Sequence, residues 1–167
     1  MMLEVKRTIS EDWALLPFLA STSAGFIVAV VDFVFLQNLR FQLSGIIGVF
    51  LSVTGGYLRH KARLELKKKA GYKSLLSTAK LQIVKDHRLV TDGLYRNIRH
   101  PIYLGETIRN LGFVMIPSSL YAMLLIAVAT IFLLFRIEIE EEMLIDKFGK
   151  EYREYQKNTK KLIPYIY

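Results

Sequence analysis

Apolar residues along this chain are grouped into four stretches that are separated by short polar segments. The stretches cover residues 13–36, 41–58, 102–116 and 120–135. The first holds 24 residues, which is more than the roughly 20 that a helix needs to cross a lipid bilayer. The pattern predicts an all-α fold: a polytopic integral membrane bundle of about four transmembrane helices.

The second stretch is rich in small residues. They are Ser44, Gly45, Gly48, Ser52, Gly55 and Gly56. Small residues let the backbones of neighbouring membrane helices approach closely, so we expect this stretch to pack tightly against another helix. The polar segment before it, around Asn38 and Arg40, is short. It predicts that the first two stretches form an antiparallel hairpin.

The third stretch is short and carries Glu106, Arg109 and Asn110 among its apolar residues. Ionisable groups are costly in lipid, so we expect Glu106 and Arg109 to face protein or a water-filled pocket. The sequence Pro117-Ser118-Ser119 predicts a tight turn that folds this stretch back against the fourth.

Basic residues are distributed unevenly between the polar segments. Residues 59–99 hold 12 of the 23 Lys and Arg, and the segment from Arg136 onward holds 7, whereas only Arg40 lies between the first two stretches. Because Lys and Arg accumulate on the cytoplasmic side of membrane proteins, this bias predicts that both termini and residues 59–99 are cytoplasmic. The bias also accounts for the net charge of +8 without a nucleic-acid partner.

The second and fourth helices are predicted to extend beyond their apolar residues. The second continues into a basic cytoplasmic segment as far as Gly71, a residue that commonly ends helices. The fourth continues as an amphipathic helix to about Tyr155, and residues 81–84 are expected to be extended. No small-residue cleavage site follows the first stretch, so we interpret it as a retained span rather than a signal peptide. Without repeats or linkers, residues 1–167 are predicted to form a single domain.

A string of basic, aromatic and imidazole side chains leads into the third stretch. It reads Gly93-Leu-Tyr95-Arg96-Asn-Ile-Arg99-His100-Pro101-Ile-Tyr103-Leu-Gly105. Pro101 suits the first position of a helix, whose free N–H groups and positive dipole end would form an anion site beside Arg99 and His100. A membrane anchor with interfacial tyrosines would explain only part of the string. The complete string favours a functional loop.

A second polar segment, from Arg136 to Leu144, follows the fourth stretch directly. Arg136 and Glu140 are four residues apart, so they share one face of a helix. They belong either to a functional site or to an ordinary surface ion pair. Glu141 and Glu142 are interpreted as a solvated helix face.

Taken together, the two polar segments resemble the isoprenylcysteine carboxyl methyltransferase family and the related membrane phospholipid methyltransferases. The first segment runs from His87 to Gly105, and the second combines the residues after Arg136 with Leu162-Ile163-Pro164. The likeness covers residues 82–164 and includes the order of the two motifs on either side of a helical hairpin.

The resemblance implies that S-adenosylmethionine (SAM) binds in a pocket of this half of the chain, at the cytoplasmic face of the membrane. Carried over to this sequence, the cofactor-binding residues are Gln82, His87, Arg88, Leu89, Val90, Tyr95, His100, Pro101, Ile102, Tyr103 and Glu140. Arg136 would bind the methyl acceptor, a lipophilic or lipidated molecule that enters from the membrane lipid. A prenylcysteine-like carboxylate needs no base. A phospholipid amine, the alternative acceptor, would make Glu106 or Glu140 a candidate base.

Two other functions are compatible with parts of the sequence. The string from Arg99 to Glu106 and the terminal residues 163–167 also resemble the ends of NADPH-dependent sterol and steroid reductases, which are longer. A basic membrane adaptor that binds anionic lipid through residues 59–73 would leave the segment after Arg136 unexplained. Metal catalysis is not expected, because the chain has no Cys and its three His lack ligand spacing. A soluble dinucleotide-binding fold is not expected either, because no glycine-rich turn follows a strand.

Overall fold

The computed structural model describes residues 12–35, 43–70 and 88–163, and their regular structure is helical. The helices are α1 (Leu15–Phe35), α2 (Leu43–Ala70), α3 (Pro101–Met115), α4 (Leu120–Phe148) and α5 (Lys150–Asn158), with a short 3-10 helix at Gly93–Arg96 before α3. Within the described ranges there is no strand, only one isolated parallel bridge between Ile98 and Lys160. The predicted all-α class is confirmed for this part of the chain.

Two of the helices, α1 and α4, are long and apolar enough to cross a membrane. Their outward faces carry exposed large apolar side chains, such as Leu16 and Phe35 on α1 and Leu124 and Ile131 on α4. Because water would penalise so much exposed apolar surface, these faces fit a lipid environment. The predicted extension of the second helix is confirmed, since α2 continues through its basic residues to Ala70. The extended segment predicted at 81–84 lies outside the described residues.

The helices pack mainly as two antiparallel pairs, α1 with α4 and α2 with α3. The two spans of the predicted antiparallel hairpin are therefore not a packed pair, since α1 packs mainly on α4 and α2 mainly on α3. The physical reason is the complementarity of α1 and α4: a Cβ atom on Gly25 would lie 3.1 Å from the Ile126 side chain, so the two helices fit closely. At one end of this pair the Ser119 hydroxyl also donates a hydrogen bond to Asp32.

Glycines join α2 to α3 at backbone contact. A Cβ atom added to Gly55 would lie 2.4 Å from the backbone nitrogen of Arg109, and one added to Gly48 would lie 2.7 Å from the Gly112 oxygen. No larger side chain fits at these positions without moving a helix. The predicted tight packing of the second span is thus confirmed at Gly48 and Gly55. It is wrong for Gly56, where an added Cβ atom would meet nothing within 4 Å.

The helix that was predicted to run to Tyr155 is interrupted at Gly149. This residue has a φ of 55°, a conformation that side chains disfavour, and its N–H donates to the Ile145 carbonyl over 2.8 Å. The chain turns there, so α5 starts at Lys150 and the segment after α5 returns to the loop before α3. This return brings distant parts of the sequence together at one end of the molecule.

Candidate active site

The loop before α3 is held by main-chain hydrogen bonds to the segment after α5. The Arg99 N–H donates to the Lys160 carbonyl over 2.8 Å, and the His100 N–H donates to the Lys161 carbonyl over 3.1 Å. His100 is only 4% exposed and directly precedes Pro101, the first residue of α3, as the sequence predicted. His100 is thereby fixed at the positive end of the α3 dipole.

Glu141 is the centre of the polar contacts around this loop. Its Oε1 atom accepts hydrogen bonds from Arg99 Nε at 2.7 Å and from His100 Nε2 at 3.0 Å, and its Oε2 atom accepts one from Gln156 at 3.0 Å. Burial alone would raise the pKa of Glu141, but the hydrogen bonds from His100 and Arg99 outweigh it and lower the pKa to about 2. The residue is a buried carboxylate that orients the loop.

The interpretation of Glu141 as part of a solvated helix face is therefore wrong, whereas Glu142 is exposed as expected. A signal for Glu141 was present in the sequence. Leu133 and Ile137 are buried on α4, and Glu141 continues the same row at four-residue spacing. Because the fourth helix was predicted to continue without a break, this spacing placed Glu141 on the same face of the helix as Leu133 and Ile137.

His100, Tyr103 and Glu140 come together beside this centre. The rings of His100 and Tyr103 have centroids 5.7 Å apart, and His100 Nδ1 lies 3.9 Å from Glu140 Oε2. The Tyr103 hydroxyl interacts with the Glu140 carboxylate. The Oε2 atom of Glu140 is nevertheless buried without a hydrogen-bond partner within the described part of the chain. A buried carboxylate oxygen of this kind fits a hydrogen-bond donor or a cation from a ligand.

Arg136 lies next to this group and is 5% exposed. Its Nε atom donates to Asp12 Oδ2 over 3.0 Å, and its guanidinium carbon lies 5.8 Å from the centroid of the Tyr103 ring, within cation–π range. The contact between Asp12 and Arg136 was not predicted, because nothing in the sequence links a residue before the first span to one after the fourth. The contact holds the segment before α1 against α4.

The other predicted cofactor residues lie around the loop or outside the described part of the chain. Tyr95 is buried and donates from its hydroxyl to the Ala62 carbonyl over 3.3 Å, so it also joins the loop to α2. Val90 is buried, Leu89 is half-buried and Arg88 is exposed. Gln82 and His87 lie outside the described residues.

Glu106, the candidate base, is bound by two guanidinium groups. Arg109 donates to its Oε1 atom over 2.5 Å, and Arg59 of α2 forms an ion pair with its Oε2 atom. The prediction that Glu106 and Arg109 face protein is confirmed, since the carboxylate is 9% exposed and joins α2 to α3. The described residues contain no group of three or more His, Cys, Asp or Glu that would hold a metal ion.

A family model supplies the comparison that identifies this chain. Residues 49–146 match the model of the isoprenylcysteine carboxyl methyltransferase (ICMT) family. The chain belongs to the ICMT family. The matched range contains α3, most of α2 and α4, and the residues His100, Tyr103 and Glu140.

Two methyltransferases are similar to this chain over different lengths. A protein-S-isoprenylcysteine O-methyltransferase of Schizosaccharomyces pombe is 35% identical over 133 residues, which are 79% of this chain and 54% of that protein. A methanethiol S-methyltransferase 1 of Bradyrhizobium diazoefficiens is 43% identical over 79 residues, which are 47% of this chain and 27% of that protein.

A solved ICMT structure has the same fold. The chain of the eukaryotic intramembrane Ras methyltransferase ICMT matches with a TM-score of 0.65 and 27% identity, over 89% of this chain and 51% of that chain. The present chain thus spans about half the length of the isoprenylcysteine methyltransferases it matches. The likeness establishes the membrane methyltransferase fold for the described helices.

Proposed function

We propose that this chain is a SAM-dependent methyltransferase that methylates the carboxylate of a prenylcysteine-like acceptor at the membrane surface. The observation that carries the proposal is the convergence of His100, Tyr103 and Glu140, from the loop, α3 and α4 of an ICMT-family fold. His100 is buried, and Tyr103 and Glu140 are half-buried, at the charged end of two membrane-length helices. A polar ligand and a lipophilic one can therefore meet there.

The residues present fit SAM by their charge and their hydrogen-bonding capacity. The first turn of α3 offers free N–H groups and a positive dipole end to the cofactor carboxylate. The buried Oε2 atom of Glu140 offers an acceptor to the cofactor ammonium or ribose hydroxyls. The Tyr103 ring offers its face to a cationic sulfonium. When bound, SAM supplies the methyl group on that sulfonium.

The protein contributes mainly orientation and exclusion of water to this reaction. An ionised carboxylate is already a nucleophile, so no general base is needed. We propose that Arg136 helps to orient the acceptor carboxylate, because its guanidinium lies beside Tyr103 and can form bidentate pairs. Glu106 already forms ion pairs with Arg59 and Arg109, and a carboxylate acceptor does not require it as a base.

The proposed topology has four spans in a single domain over residues 1–167, with both termini and residues 59–99 on the cytoplasmic side and the cofactor pocket at the cytoplasmic face of the membrane. Its support is the concentration of Lys and Arg beyond the apolar residues of α2 and α4, together with the two antiparallel helix pairs. The cofactor would then enter from the cytoplasm, and the acceptor would enter from the adjacent lipid.

The proposal is tested with purified full-length protein in detergent, methyl-labelled SAM and a panel of acceptors. We expect label on an S-farnesylcysteine derivative and much less on phosphatidylethanolamine. Label on the amine alone would contradict the proposed acceptor. A thiol acceptor is the second candidate, because the chain is 43% identical to the Bradyrhizobium diazoefficiens relative over 79 residues. Preferential labelling of methanethiol would favour it.

A further inference from the structure

Arg99 and the arginines of α2, α3 and α4 differ in whether a carboxylate forms an ion pair with them. Four of them are ion-paired within the described residues: Arg99 with Glu141, Arg136 with Asp12, and Arg59 and Arg109 with Glu106. Arg63 of α2 forms no such ion pair within the described residues. Its Nε atom, like that of Arg59, is buried there without a hydrogen-bond partner.

The register of α2 against α3 locates Arg63 near the proposed site. An added Cβ atom on Gly105 would lie 2.5 Å from the backbone nitrogen of Arg59, so these two residues lie at the same level. Because the helices are antiparallel, Arg63, one turn beyond Arg59, is level with the first turn of α3. Tyr103 is in that turn, and Arg63 interacts electrostatically with it.

The local charge balance around Arg63 is positive. Arg59 and Arg109 repel Arg63, and Glu106, which attracts it, already forms ion pairs with both of those arginines. Burial, together with repulsion from Arg59, lowers the pKa of Arg63. A bound oxyanion would relieve both effects, since it would replace lost hydration and offset the repulsion.

We propose that Arg63 binds the carboxylate of the methyl acceptor, as a second cation across Tyr103 from Arg136. This inference rests on the proposed function and identifies a residue of its acceptor site. Arg136 must exchange Asp12 for the acceptor, whereas Arg63 has no ion pair within the described residues to give up.

The same placement gives Arg63 a role in distinguishing acceptor from product. Methyl transfer forms an O–CH3 bond at the carboxylate while the S–CH3 bond breaks and its electron pair stays on sulfur. The acceptor's negative charge is lost, so the ester product no longer forms an ion pair with Arg63. Arg63 therefore favours binding of the acid and release of the ester.

The test measures binding, so it does not depend on turnover. Full-length protein saturated with demethylated cofactor is titrated calorimetrically with N-acetyl-S-farnesylcysteine and with its methyl ester. We expect the wild type to bind the acid at least about tenfold more tightly than the ester, the scale of one charge-assisted hydrogen bond. Arg63→Gln should lower this ratio toward one, with the remaining preference for the acid due to Arg136, and should raise the KM for the acid, while the affinity for SAM changes little.

Two further variants make the result specific. Arg153→Gln removes an exposed arginine from α5 and should leave the ratio unchanged. Arg63→Lys keeps the charge but cannot form a bidentate pair, so we expect an intermediate ratio. If Arg63→Gln does not fold, Arg63→Lys carries the test, and a wild-type ratio in that variant would contradict the proposal.

An unchanged acid-to-ester ratio in Arg63→Gln would overturn the inference and leave the proposed function intact. Failure of the wild type to bind SAM or to methylate any carboxylate would instead contradict the proposed function. The two failures are therefore distinguishable.

Discussion

His100 Nε2 lies 3.0 Å from Glu141 Oε1, and this contact joins the residue before α3 to the charged end of α4. A carboxylate only accepts hydrogen bonds, so Nε2 carries the shared proton and the other ring nitrogen, Nδ1, is turned toward Glu140. Glu141 thus orients His100 without itself belonging to the proposed cofactor contacts. Two adjacent glutamates of α4 have separate roles, one structural and one proposed for binding.

Replacement of Glu141 should destabilise the folded protein. Glu141→Gln leaves the buried Arg99 guanidinium without its ion pair, and we expect a loss of about 3 kcal/mol in the free energy of unfolding. Thermal unfolding in detergent measures the effect. Glu142→Gln, an exposed neighbour with the same change of charge, is the control and should differ little from the wild type. Equal stability of the two variants would contradict the central position of Glu141.

The same ion pair predicts a dependence of stability on pH. Folding lowers the pKa of Glu141 from 4.5 to about 2, so the unfolded chain takes up a proton first as the pH falls. The stabilisation is complete above pH 4.5 and is lost as the pH decreases toward 2. Unfolding measured across this range should be steeper for the wild type than for Glu141→Gln. Parallel curves would show that Glu141 has an ordinary pKa.

Adjacent glycines of α2 should respond to substitution with opposite signs. Gly55→Ala places a Cβ atom 2.4 Å from the backbone nitrogen of Arg109, and we expect a loss of about 1–3 kcal/mol from overpacking. Gly56→Ala meets nothing within 4 Å and should stabilise α2 by up to about 1 kcal/mol. Unfolding of both variants in the same detergent checks this. Similar effects at the two positions would contradict the close contact of α2 with α3.

The membrane-length helices were predictable because their signals are local. Apolar length defined α1 and α4, and the small residues Gly48 and Gly55 indicated a close helix contact. The choice of partner was not predictable, because lipid solvates every apolar face equally and gives no preference among helices. The pairing of α1 with α4 depends on the fit of Gly25 against Ile126 and on polar contacts between residues far apart in the sequence.

The candidate site was predicted in part for a similar reason. Family motifs contain His100, Tyr103 and Glu140, which the structure brings together. Asp12 lies 124 residues from Arg136 and in no motif, so the sequence did not indicate their contact. Gln156 reaches Glu141 only because Gly149 ends α4 and reverses the chain. Such contacts depend on tertiary geometry rather than on local pattern.

The proposed topology predicts the sidedness of engineered cysteines. The native chain has no Cys, so Ser118→Cys and Lys157→Cys each introduce a single reactive thiol. Ser118 lies in the turn before α4 and Lys157 lies on α5, at opposite ends of a membrane-length helix. We expect a membrane-impermeant maleimide to label the two from opposite sides of sealed vesicles. Labelling from the same side would contradict a crossing by α4.

A calorimetric titration of SAM into the purified protein tests the proposed cofactor site most directly. We expect the wild type to bind SAM but not NADPH. Glu140→Gln should weaken SAM binding at least about tenfold, because it removes a charged acceptor from a buried site. Glu142→Gln should bind like the wild type. Wild-type SAM affinity in Glu140→Gln, or binding of NADPH in place of SAM, would contradict the proposed cofactor site.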